Sequence, residues 1–158
     1  MESINAYGLS LELPDGWFGR IYQRDSGAGE ITKPIIHASN APLSSIEDDD
    51  TLAGTMNSMG SRGVTIAIFE LEPLPGFSDP AMGFGDVSGG ASLRPEDSRN
   101  IQGVPSNFLS FVRRIRSSGR YFQVRVVFGA DRAPVDLYSE VNGLLASFRV
   151  QQAAPVGG

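Results

Sequence analysis

Cysteine is absent from the 158 residues, and that absence excludes disulfides, thiol nucleophiles, zinc ribbons and iron–sulfur clusters. Histidine occurs once, at His37, so no His-His metal site can form within one chain and any Ser-His-Asp triad would have to be built on that residue. Lysine also occurs once, against twelve arginines. Lys33 precedes Pro34 and lacks the glycine frame of a phosphate-binding P-loop, so a nucleotide site of that kind is excluded. No apolar run approaches the length of a membrane helix, and the opening Met1-Glu2-Ser3-Ile4-Asn5 has neither part of a signal peptide. These features predict a cytoplasmic protein without a membrane span.

What is present is an ordinary globular composition, 41% hydrophobic and 20% charged, with a net charge of −5. One domain over residues 1–150 is expected, with 151–158 as a loose tail. Charge is unevenly placed: residues 1–100 carry 6 basic and 15 acidic groups, residues 101–158 carry 7 and 3. Nucleic-acid binding needs a basic field on the scale of the domain, so a nucleic-acid partner is not expected.

Periodicity places most elements. Tyr7, Leu9, Leu11 and Leu13 alternate with Gly8, Ser10 and Glu12, a half-buried strand that Pro14-Asp15-Gly16 turns. Short strands are expected through Ile21-Tyr22 and over 34–40. Leu52, Met56 and Met59 stand at i, i+4 and i+7 behind Glu47-Asp48-Asp49-Asp50, which predicts a short helix over about 50–60. Val64–Leu71 is apolar on both faces and reads as a central strand covered on both sides. Residues 73–105 hold five prolines and six glycines with little apolar repeat, a long loop.

Val104, Phe108, Leu109, Phe111, Val112 and Ile115 fall within about 140° of helical arc, with Arg113 and Arg114 opposite them. A strand there would bury Arg113 beside Leu109 and Phe111, so the spacing predicts a helix from Pro105 to Gly119. Arg120–Gly129 alternates as a strand with Phe122, Val124, Val126 and Phe128 inward. Leu137, Val141, Leu144, Leu145 and Phe148 predict a last helix capped by Asp131, its Gly143 retained for close packing.

Three stretches resemble the PsbP-like group, which includes the Mog proteins. They are Leu11-Glu12-Leu13-Pro14-Asp15-Gly16-Trp17, the strand entry Gly119-Arg120-Tyr121-Phe122, and the ending Leu144-Leu145-Ala146-Ser147-Phe148-Arg149-Val150. The arginine-rich, lysine-poor composition and the run Ile35–Asn40 resemble actinobacterial proteins of the same design. The resemblance implies an α+β fold, an α/β/α sandwich on a largely antiparallel central sheet with helices packed on it. It also implies a group whose members mostly bind other proteins and share no catalytic residues.

Each chemical motif has a plain reading beside the functional one. His37 alternates with Ile35 and Ser39 and is a sheet histidine or a general base without a recognisable nucleophile motif. Glu47–Asp50 lacks the spacing of a calcium loop and reads as helix-start acids rather than a cation site. Gly83–Gly90 follows no nucleotide-loop spacing. Arg113, Arg114 and Arg116 form either the wet face of a helix or a patch for an acidic partner. Trp17, Phe77 and Phe84 are the aromatics least assigned to a core by periodicity, and aromatics are favoured binding hot spots. The expected partner-binding set is therefore Trp17, Phe77, Phe84, Arg113, Arg114 and Arg116, with no catalytic residue, metal or cofactor. The sequence thus points to a non-catalytic protein-binding or adaptor domain. A chaperone-like secretion helper and a small-molecule hydrolase using His37 are the alternatives.

Overall fold

The computed structural model describes residues 1–25, 31–45, 52–71, 84–86, 93–101 and 103–151. The order is β1 (Glu2–Ala6), β2 (Leu9–Leu13), β3 (Phe18–Asp25), β4 (Ile31–Ser39), α1 (Ala53–Ser58), β5 (Val64–Leu71), β6 (Phe84–Asp86), β7 (Leu109–Ser117), β8 (Arg120–Phe128), α2 (Val135–Ala146) and β9 (Arg149–Val150), with a 3-10 turn at Pro95–Asp97. The class is α+β and the pairing largely antiparallel. The strands form two sheets rather than one: β1-β2-β9, and β3-β4-β5-β8-β7-β6. Among the described strands only the short β6 runs parallel to its neighbour, β7.

Two tight turns explain where the strands begin. Tyr7 and Gly8 take φ of 55° and 77° between β1 and β2, and Ser118 and Gly119 take 52° and 75° between β7 and β8. Two consecutive left-handed residues are what a two-residue hairpin requires. Tyr7 is therefore a turn residue, 48% exposed, and not the first inward residue of a strand. Leu9, Leu11 and Leu13 do point inward as their alternation predicts. Pro14-Asp15-Gly16 closes with the Trp17 N–H donating to the Pro14 carbonyl at 3.1 Å.

The expected helix from 105 to 119 is a strand, β7, paired along its whole length with β8 from Leu109↔Phe128 to Ser117↔Arg120. The apolar residues that a helix would gather are divided. Phe111 and Ile115 enter the main core, whereas Val104 and Phe108 pack with Met56, Met59 and Val127. Arg113 does lie on the core side, but Asp97 receives it at 2.6 Å, and that ion pair offsets the cost that argued against a strand.

The main core lies on one face of the six-stranded sheet. Ile36, Val64, Ile66, Ile68, Phe111, Phe122, Val124, Val126 and Phe128 meet Leu9, Leu11 and Leu13 of the small sheet and Leu137, Val141, Leu144 and Leu145 of α2. Phe111–Phe128 and Phe122–Phe148 cross edge to face with ring centroids 5.7 and 5.3 Å apart, geometry worth about 1 kcal/mol per pair beyond the area buried. Glu70 and Arg120 form a buried, two-pronged ion pair at 2.7 and 2.8 Å, and Arg120 also donates to the Gln151 carbonyl, tying β5 and β8 to the end of the small sheet.

The opposite face of the same sheet meets α1, whose Met56 and Met59 rest on Val127. α1 covers residues 53–58 with Leu52, Met56 and Met59 buried at the predicted spacing, while Glu47–Asp50 lie outside the described residues. α2 is preceded by Pro134 as cap residue and not by Asp131. Gly143 is exposed with open space where a Cβ would stand, so close packing does not explain it.

Candidate functional site

Register places side chains of directly paired residues on one face of a sheet. On the α1 face the first row runs Arg20–His37–Ala67–Arg125–Val112 across β3, β4, β5, β8 and β7. The next runs Tyr22–Ile35–Phe69–Gln123–Arg114, and the third Leu71–Tyr121–Arg116. The β3–β4 end of these rows is buried: Tyr22, Ile35 and His37 are at most 8% exposed. From β5 to β7 the rows open, and Phe69, Leu71, Tyr121, Gln123, Arg125, Val112, Arg114 and Arg116 are all half-buried. Three guanidinium groups and two aromatic rings thus share one partly dry surface.

Arg125 is the distinctive member of this surface. Burial alone pulls its guanidinium below the ordinary arginine value, and no carboxylate counters it. Asp97 and Glu70 take Arg113 and Arg120 on the other face, and Asp136 takes Arg62. None of the side-chain ion pairs or hydrogen bonds among the described residues involves the Arg125 guanidinium. A guanidinium stays charged at neutral pH, so a half-buried positive charge stands there without a counter-charge among the described residues.

The residues expected from sequence are not brought together. Trp17 is in the main core, 6% exposed, with its indole N–H donating to the Glu140 carboxylate. Arg113 faces the core side and is held by Asp97, whose carboxyl is kept below its ordinary value by the hydrogen bond from Arg94 and by the charge of Arg113. Arg114 and Arg116 lie on the open face. Phe84 sits in β6, its backbone in register with Arg114, and only that backbone is described. Phe77 lies outside the described residues, as does most of Gly83–Gly90. Sequence reading placed Tyr121, Gln123 and Arg125 on one side of β8. It did not join them to Arg114 and Arg116, because a helical β7 offers no common face.

His37 is completely buried. Arg20 Nε donates to His37 Nδ1 at 3.0 Å, Arg20 Nη1 donates to the Ser44 carbonyl, and the Tyr22 ring meets the imidazole edge to face at 5.1 Å. The lone pair of Nδ1 is therefore occupied by a cation. Surface hollows formed by Asn5–Ser10 with Gln151, and by Ser98–Asn100 with Phe108–Ser110, lie away from it. Among the described residues no group of three acidic or histidine side chains is placed to hold a metal, and no helix is long and apolar enough to cross a membrane. The large apolar side chains exposed there, Met1, Tyr7, Phe18 and Val135, come from a chain end, a turn and the first residues of β3 and α2.

No protein-family model matches the sequence, and no curated protein matches it. A solved structure of MucB in complex with MucA(peri) is similar over 96% of this chain and 39% of that one, with 17% identity and a TM-score of 0.35. The present chain thus spans well under half the length of that MucB chain.

Proposed function

We propose that the chain is a non-catalytic protein-binding or adaptor domain whose partner docks on the open β5–β8–β7 face. The fold proposed with it is the PsbP-like α/β/α sandwich, α1 and α2 covering opposite faces of the six-stranded sheet. The observation that carries the reading is Arg125, a half-buried cation without an acidic partner among the described residues, set in register with Val112 and Ala67 and beside the row of Arg114 and Phe69. A charge desolvated with no counter-charge contributes nothing to folding, and a binding partner supplies the missing carboxylate. The hydrolase reading is disfavoured because the Nδ1 lone pair of His37 is already taken by Arg20. The chaperone-like reading is disfavoured because the apolar side chains exposed among the described residues are scattered rather than gathered in a groove.

The test is affinity capture from lysate with wild-type chain and the Arg125→Gln variant, both checked for equal melting temperature. A stoichiometric protein retained by the first and lost by the second is expected. An equal yield from both, or an empty wild-type column, overturns the reading.

A further inference from the structure

Residues 93–99 cross from α2 to β7, and the bonds that hold them are those by which a protein holds a peptide. Asn142 of α2 accepts the Leu93 N–H at Oδ1 over 2.7 Å and donates from Nδ2 to the Leu93 carbonyl over 3.2 Å. One amide side chain thus serves both main-chain groups of one residue, a contact that reads backbone and not side chain. The Leu93 side chain enters the main core and is 3% exposed. Four residues on, Asp97 meets Arg113 of β7 at 2.6 Å. The Arg99 N–H then donates to the Ser110 carbonyl of β7 at 2.8 Å, and Ser110 Oγ donates back to the Arg99 carbonyl.

The hold is shallow. Arg94, Pro95, Glu96 and Arg99 are exposed and Asp97 and Ser98 half-buried, so Leu93 is the one side chain of the segment seated in the core. The hold is also incomplete. Tyr138, one turn before Asn142 on α2, is 9% exposed, and its buried hydroxyl has no hydrogen-bond partner. The Tyr138 ring meets Phe111 of β7 at 6.0 Å, which places it in the seam between the two elements. Burial, and after it the charge of Glu96, raise that hydroxyl above its ordinary value, so the segment brings a charge near it without an acceptor in reach. A buried donor left unpaired weakens the arrangement, and a segment seated by one apolar side chain opens locally before the rest of the fold.

We infer that the α2–β7 seam is a peptide-binding site, occupied by the chain's own residues 93–99, whose ligand is an extended segment of a protein partner carrying a leucine and, four residues on, an acid. The leucine takes the place of Leu93, its main chain takes Asn142, and the carboxylate takes Arg113. An acceptor between them meets the Tyr138 hydroxyl that residues 93–99 leave unpaired. The site lies on the core side of the sheet, so it goes beyond the reading of the open face that carries Arg125. Because the tethered segment competes at high effective concentration, a free ligand binds in proportion to how often the seam is open.

The probe is an N-acetylated peptide of residues 93–100 with fluorescein at its carboxyl end, measured by fluorescence anisotropy against the full chain. Saturable binding to the wild type is expected. Unlabelled peptide should also speed amide exchange at Arg99, because displacement takes its N–H from Ser110. Asp97→Asn loosens the tethered segment while the peptide keeps its own aspartate, so affinity should rise about tenfold or more. Peptides with alanine for the leucine, or asparagine for the aspartate, should bind at least about tenfold more weakly. Thermal melting establishes that the variant keeps the fold, and the wild-type exchange measurement stands independently of it.

Absence of binding to the wild type at millimolar peptide makes residues 93–99 a fixed part of the fold and overturns the inference. Equal affinity of wild type and Asp97→Asn, or equal binding of the substituted peptides, overturns it as well. Binding that leaves Arg99 exchange unchanged puts the peptide elsewhere, with the same consequence. A wild-type dimer that the peptide dissociates makes residues 93–99 of a second copy the occupant and overturns the partner segment.

Discussion

Along β8, Phe122, Val124, Val126 and Phe128 are at most 1% exposed, while Tyr121, Gln123 and Arg125, one residue out of phase, are half-buried. Both sets belong to one strand, share its backbone hydrogen bonds and differ only in which side of the pleat they occupy. The inward set meets α2 and the small sheet, with every ring placed against another ring or an aliphatic side chain. The outward set brings a cation and an amide toward a partly dry surface where the cation finds no acid among the described residues. Charged groups on the core side are treated differently: Arg113 and Arg120 each have a carboxylate within 2.7 Å. The chain therefore neutralises its arginines on the core side and leaves Arg125 open on the other, which separates residues that hold the fold from residues available to a partner.

The largest effect that tests this separation is on the inward side. Phe128→Ala removes a ring that contacts Phe111 and Tyr138, and should cost about 3–5 kcal/mol in denaturant unfolding. Arg125→Gln, three residues earlier on the same strand, should change stability by no more than about 0.5 kcal/mol. A loss at Arg125 comparable to that at Phe128 would mean that the outward face is also structural, and the division between the faces would fail.

A smaller effect comes from acid. The Asp97 carboxyl is held below its ordinary value of 3.8 by the hydrogen bond from Arg94 and by the nearby charge of Arg113. A folded-state value depressed in this way stabilises the fold above the ordinary carboxylate pKa, and the contribution fades as pH falls below 3.8 through the folded value. Stability measured against pH should therefore decline on the acid side, and Asp97→Asn should flatten that part of the decline while lowering stability near neutrality. Loss of the Asp97 link should also speed amide exchange at Arg99, whose N–H donates to Ser110 of β7. An acid limb unchanged by Asp97→Asn would show that Arg113 tolerates the core side without its counter-charge.

That same contact explains what sequence reading reached and what it missed. Strand β8 and the buried set of α2 are legible because each follows a single unbroken period, and β5 because its run is β-prone and apolar on both faces. Leu52, Met56 and Met59 were legible for the same reason. Residues 104–118 satisfy a helical arc, and the argument against a strand was the burial of Arg113. Its partner Asp97 lies 16 residues away, beyond any local pattern. The local clue is Ser118-Gly119, a dipeptide suited to a two-residue hairpin, although its glycine equally suits a helix end. Trp17 was misplaced similarly, because Glu140, which receives its N–H, is 123 residues distant. Once β7 was read as a helix, Arg113, Arg114 and Arg116 looked like one cluster, whereas alternation sends the first to one face and the other two to join Arg125.

The smallest effect concerns a residue on neither face of the sheet. Gly143 lies inside α2, between Asn142 and Leu144, on the exposed side of a helix whose buried side is Leu137, Val141, Leu144 and Leu145. Close packing was the expected reason for a glycine there, yet a Cβ built at this position meets no atom within 4 Å. Its φ is not among the positive values, so alanine fits the backbone without strain. Glycine in a helix interior costs about 0.5–1 kcal/mol relative to alanine, mainly through the freedom it has when unfolded. Gly143→Ala should accordingly stabilise the chain by about 0.5–1 kcal/mol in chemical denaturation, with no change in partner capture by the opposite side of the sheet. A destabilised variant would show that α2 meets something at its outer side, and a second covered surface would then have to be sought there.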